Sequence, residues 1–162
     1  MPDEMTELAA AIRARTAAAL GDLLRFASPA LLQKLAVDLV PPLMRVAGYT
    51  GIPLGTGDRW GDALAQPRIV GLPPVLVRIH AGAWLADDTR SLAAAMQGAN
   101  ATQAALAVIA DDPLTRELRD AVAAYVPWLL DRDGLVNLML SANVGVAVRA
   151  YEAKYPDEVY FR

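Results

Sequence analysis

The period of the apolar positions changes along the chain, and the changes mark its elements. Over residues 6–25, Leu8, Ile12, Ala19, Leu20, Leu23 and Leu24 recur at spacings of three, four and seven. Arg13, Arg15, Asp22 and Arg25 fall elsewhere on the wheel, so the spacing predicts a helix. Ser28-Pro29 restarts one, with a hydroxyl to accept free amides and a proline suited to the first turn. This second helix carries Leu31, Leu32, Leu35 and Leu39, and Pro41-Pro42 interrupts or ends it, with a short continuation through Leu43 to Val46 open.

From Gly48 glycine and proline punctuate short segments, which predicts turns and strands. Strands are expected over residues 63–70 and, most clearly, 75–80. Residues 88–100 read as a helix and 104–110 as a buried strand. Asp112-Pro113 repeats the cap-and-proline signature and predicts a helix to about residue 124. Residues 128–130 make a short buried strand, Asp133 caps a last helix over 134–142, and an extended or turn-rich tail follows. Two helices, then strands, then alternating helix and strand predict an α/β fold, a mixed sheet with helices on its faces. Residues 1–27 are expected as an N-terminal helix packing on a body of residues 28–162.

Composition narrows the function more than the fold. The 162 residues are 55% hydrophobic, 20% charged and carry a net charge of −3. A protein that grips nucleic acid by neutralising phosphates shows a basic surplus or stripe, and none is present here. DNA is therefore only a weak partner of the chain alone. The lack of cysteine excludes disulfides, zinc ribbons and thiol catalysis. Neither a secretory signal nor an apolar run of membrane-spanning length is visible, so a cytoplasmic protein without a membrane partner is expected.

Candidate chemistry gathers where two strands meet. Gly57-Asp58-Arg59-Trp60-Gly61-Asp62 leads into one strand, and Val77-Arg78-Ile79-His80 ends the next. Side chains alternate faces in a strand, so Arg78 and His80 point the same way, and Asp62 approaches both if the strands pair. Elsewhere, Asp111-Asp112 resembles metal bait but reads better as a helix cap. Gly55-Thr56-Gly57 lacks the lysine of a phosphate loop and reads as a turn. Trp60 and Trp84 stand near the cleft these strands would form, as packing or as stacking platforms.

These segments resemble the catalytic domain of the Mrr-type restriction endonucleases, of the PD-(D/E)xK superfamily. Ser28-Pro29 followed by Leu35-Ala36-Val37-Asp38-Leu39 is similar to the family's leading helix. Gly57 to Asp62 is similar to its turn into the catalytic Asp. Most specific is the tail: Asp133-Gly134-Leu135, Leu138-Met139, Gly145-Val146, Tyr151-Glu152 with Lys154, and Tyr160-Phe161.

The resemblance implies a restriction-endonuclease-like sheet. It also implies a site in which Asp and a carboxylate or glutamine hold Mg²⁺ while a lysine positions or activates water. Asp62 falls on the Asp position, Arg78 on the second ligand, His80 on the lysine, and Gln33 on a helix position that is often Glu. Arginine has no acceptor atoms and repels a cation, so an Asp62–Arg78 ion pair in place of the metal is expected. Three functions stay open. One is a degenerate nuclease domain, inactive, without a cofactor and kept for DNA-associated binding or assembly. Another is an active Mg²⁺-dependent endonuclease with a rearranged site of Asp62, Asp58 and His80. The last is a dimerisation or partner-binding module without DNA contact.

Overall fold

In the computed structural model of the chain the described residues are 3–45 and 48–148. Among the described residues six helices and five strands follow one another as α1 (Glu4–Arg25), α2 (Pro29–Asp38), α3 (Val40–Met44), β1 (Tyr49–Thr56), β2 (Trp60–Pro67), β3 (Val75–Ala81), α4 (Ala86–Gly98), β4 (Gln103–Ile109), α5 (Arg116–Val122), β5 (Trp128–Leu130) and α6 (Arg132–Ala142). The strands form one sheet in the order β1-β2-β3-β4-β5. β2 runs antiparallel to both neighbours, and β3, β4 and β5 are mutually parallel. The chain is thus a mixed α/β fold, with helices on both faces of the sheet.

Two apolar layers hold it together. On one face Ala63, Ala65, Val75, Val77, Ile79, Ala105 and Ala107 meet α2, α3, α6 and the end of α1. The alanines let the helix layer approach closely. On the other, Leu76, Leu106 and Val108 meet Leu92 and Met96 of α4 and Leu118 and Val122 of α5. Being covered on both sides, β3 buries six consecutive residues from Val75 to His80, which explains its unbroken apolar run around Arg78 and His80.

The helix starts follow the chemistry of their caps. Ser28 accepts from Leu31 N at 3.2 Å, and Pro29 opens α2 as expected. α3 follows α2 almost directly and begins at Val40, so the proline pair sits in a first turn, where a missing N–H costs little; Val46 lies outside the described residues. Two caps differ from the sequence reading. α5 is capped by Thr115, whose hydroxyl accepts from Leu118 N, and not by Asp112. α6 is capped by Asp131, which accepts from Gly134 N at 2.7 Å, leaving Asp133 in the first turn. In both places the residue with extended backbone next to the helix wins, because only there does the side chain reach back to the free amides.

The strand expected over 63–70 begins earlier, at Trp60, and ends at Pro67. β5 is half-buried, where a buried strand was expected. β1 has no counterpart among the strands read individually from sequence. It lies at the sheet edge and tolerates Pro53 beside a register shift between Pro53 and Thr56. The motif quoted from the tail continues past Val148 and there lies outside the described residues. No helix among the described residues is long and apolar enough to cross a membrane.

Gly61 sets how closely α2 lies on β2. A Cβ there would run into the backbone of α2, at 2.6 Å from Gln33 Cα and 2.7 Å from Leu32 C. Only glycine permits that contact. It fixes the start of β2, and with it the position of Asp62 one residue later.

Candidate functional site

Asp62 and Arg78 are direct partners across the β2–β3 ladder, as are Trp60 and His80. Cross-strand partners share a face, so Trp60, Asp62, Arg78 and His80 all look towards α4. Arg78 donates from Nε to Asp62 Oδ1 and from Nη2 to Asp62 Oδ2, each at 2.7 Å. Its third nitrogen, Nη1, donates to Ser91 Oγ of α4 at 2.9 Å. The indole of Trp60 covers the guanidinium, with Cζ 3.8 Å from the ring centroid. Each nitrogen of Arg78 therefore has a partner, while the π face takes up part of the remaining charge.

The cluster is sealed. Asp62 is 2% exposed, and Arg78 and His80 are fully buried. Burial pushes the Asp62 carboxyl above its ordinary value, and the hydrogen bonds and charge of Arg78 oppose that rise. Both carboxylate oxygens accept from the guanidinium, and these two charge-assisted bonds keep the pair ionic at neutral pH.

His80 stands one pair along the ladder in a different environment. Neither Nδ1 nor Nε2 makes a hydrogen bond. Nε2 lies 3.4 Å from Asp88 Oδ1, a charge contact only when the ring is protonated. Burial lowers the imidazole's pKa and outweighs the attraction of Asp88, so the ring is neutral near pH 7. Trp84 packs against it at 5.0 Å, tilted by 60°, and donates its indole N–H to Thr89. Asp88 itself is engaged elsewhere: Oδ2 accepts from Leu85 N at 2.7 Å at the start of α4 and lies 3.6 Å from Arg59 Nη2.

The other candidates are dispersed. Asp58 is exposed in the β1–β2 turn, closed by a Gly57 N to Trp60 O bond at 3.0 Å, and is not brought into the buried cluster. Gln33 donates to Gly55 O, tying α2 to β1. Asp111 pairs with Arg25 and Arg132 at the surface. Trp60 and Trp84 pack against Arg78 and His80 respectively. Among the described residues no three acidic, histidine or cysteine side chains converge as a cation site would require.

Held against Mg²⁺ chemistry, this donor set does not fit. A hard dication takes six or more oxygen ligands. Here the one central carboxylate already spends both oxygens on a guanidinium, and the neighbouring position offers donors only. The residues that sequence reasoning missed are Ser91 and Asp88. Asp88 carried a usable signal as an acid three residues beyond Leu85 at a helix start, whereas Ser91 becomes visible only when α4 is laid on β3.

Comparison of the chain with family models, curated proteins and solved structures finds no match.

Proposed function

We propose that the chain is a catalytically inactive relative of the Mrr-type nuclease domains, in which a buried ion pair replaces the metal centre and the domain serves binding or assembly. The observation that carries this reading is the bidentate closure of Asp62 by Arg78 at the paired β2–β3 positions. Those are the positions on which the resemblance puts the metal ligands, and they are the ones where acceptors have been exchanged for a donor. Burial supports the same reading: a phosphodiester must touch its catalytic groups, and Asp62, Arg78 and His80 are out of reach of solvent. His80 is no substitute for the lysine, since a sealed imidazole cannot hand a proton to or from water. The net charge of −3 adds that tight, sequence-independent phosphate binding is not what the domain is built for.

Calorimetric titration with Mg²⁺ and Mn²⁺, run beside a plasmid-cleavage assay, tests the proposal. The expected result is no saturable cation binding and no nicking. Tight cation binding that Asp62→Ala abolishes, or cleavage that Asp62→Asn abolishes, overturns it.

A further inference from the structure

We propose that α1 pairs with α1 of a second copy of this chain, antiparallel about a two-fold axis, through an apolar stripe left exposed among the described residues. The inference stands apart from the state of the Asp62–Arg78 site and survives or fails without it.

α1 has two apolar faces. Leu20 and Leu24, with Ala17, pack into the body of the domain. Met5, Leu8, Ile12, Ala19, Leu23 and Phe26 fall within about 60° of one another at 3.6 residues per turn, on a face turned away from that contact. All six are exposed, Leu23 at 69% and the C-cap Phe26 at 87%. Residues 3–15 are exposed throughout, so the first half of α1 touches little of its own domain. The apolar recurrence that predicts this helix groups Leu8, Ile12, Ala19 and Leu23 with Leu20 and Leu24; in the structure only Leu20 and Leu24 are buried. A contiguous apolar strip along a whole helix is uncommon on a monomer surface and marks a place of association.

The spacing of the stripe specifies the partner. From Met5 to Phe26 its steps are three, four, seven, four and three residues, the same read from either end. Two such helices laid antiparallel therefore match at every position. Met5 meets Phe26, Leu8 meets Leu23 and Ile12 meets Ala19 of the second copy, and symmetry repeats each pair. A two-fold interface requires this self-complementarity. Large opposes small beside the axis, and large opposes large only towards the ends. Arg15 and Thr16 occupy the seven-residue gap, and Arg15 at the stripe's edge can extend its head to solvent.

Charge separates this arrangement from a parallel one. Parallel pairing sets Glu4, which flanks the stripe, beside its own copy, whereas antiparallel pairing sets it beside Ala27 of the second copy and puts the two carboxylates at opposite ends of the interface. It also opposes the two helix macrodipoles. α1 spans 22 residues, about 33 Å, and ten large apolar side chains across the pair put the buried area on the order of 1,200 Å². That is the lower end of a specific interface, so a reversible dimer is expected. Leu23 also lines a cavity with Leu31, Lys34 and Leu35 of α2, which widens the seat for the second copy's first turns.

The test uses the full chain. Sedimentation equilibrium is expected to give a reversible dimer of twice 17.3 kDa. Ile12→Glu and Leu23→Glu, both at exposed positions, weaken it on the order of a hundredfold with unchanged circular dichroism. Because the chain has no cysteine, register is read by cross-linking. Leu8→Cys and Leu23→Cys combined in one chain give a covalent dimer under mild oxidation, and each alone gives none. About 22 Å separates the two positions along one helix, too far for a bond within a chain. A monomer at all concentrations overturns the proposal. So does a dimer indifferent to both glutamates, or one in which either single cysteine variant cross-links.

Discussion

Arg78 faces Asp62 across the β2–β3 ladder and takes both of its carboxylate oxygens at 2.7 Å, out of contact with water. A pair held this way contributes little net stability against an apolar pair of the same shape, yet losing one partner strands the other. Asp62→Ala is therefore expected to cost about 3–5 kcal/mol in urea unfolding, and Arg78→Ala a similar amount. Asp62→Leu combined with Arg78→Met, which removes both charges while keeping the branching of one side chain and the straight stem of the other, is expected to recover most of that loss. A double variant no more stable than the singles would show that the pair is not the unit that matters.

A second prediction tests the proposed nuclease relationship. Arg78→Glu together with His80→Lys places a carboxylate and a lysine at the positions beside Asp62. In thermal unfolding that variant is expected to start less stable than the native chain and to gain stability as Mn²⁺ is added. The gain is about 2.7 kcal/mol at a hundred times the dissociation constant. The native chain is expected to show no such response. An equal rise in both would mean that the cation binds away from Asp62.

The ion pairing of Asp62 with Arg78 was legible in the sequence, and its burial was not. The alternation Val77-Arg78-Ile79-His80 put the two polar side chains on one face, and that is where they lie. What periodicity could not convey is that α4 closes over that face, because the groups that seal the polar pair come from scattered positions: Ser91 and Asp88 of α4, Trp60 of β2 and Trp84 ahead of α4. A cleft was expected, and a packed interior stands there. Edge strand β1 escaped notice for a different reason: Gly51, Pro53 and Gly55 are turn signals in isolation and are tolerated in a strand only at an edge. The caps at Thr115 and Asp131 were misplaced by three and two residues because nearby aspartates compete on composition and differ only in backbone conformation.

Gly61 offers a check on how the fold positions Asp62. Gly61→Ala puts a methyl group against the backbone of α2 at Gln33 and Leu32, where no flexible side chain can yield. The helix must lift from β2 or the strand must shift, at a cost of about 1–3 kcal/mol. Gly71→Ala sets the contrast in space alone, since nothing lies within 4 Å of its added Cβ, although its φ of 95° carries its own strain. Hydrogen exchange distinguishes the two: Gly61→Ala is expected to loosen amides in both α2 and β2, and Gly71→Ala only those of the β2–β3 turn.

The buried imidazole gives the fold an acid limit. Above about pH 6.5, His80 is neutral whether the chain is folded or not, and its contribution does not change with pH. As pH falls below that value the unfolded chain takes up a proton that burial denies to the folded one. The unfolded state then binds more protons, so stability falls, by at most about 1.4 kcal/mol per pH unit, until pH passes the lowered value in the folded state. Asp88 softens the effect and Arg59 sharpens it, since one attracts and the other repels the charged ring. Asp62, raised by burial, acts in the opposite sense: it retains its proton more firmly when folded, in a window that starts at the ordinary value of 3.8 and runs upwards. Urea midpoints between about pH 7.5 and 5.5, the part of the range where imidazole titrates, are therefore expected to drop for the native chain and to stay nearly level for His80→Leu. A parallel drop in both would place the titrating group elsewhere and leave His80 without a share in it.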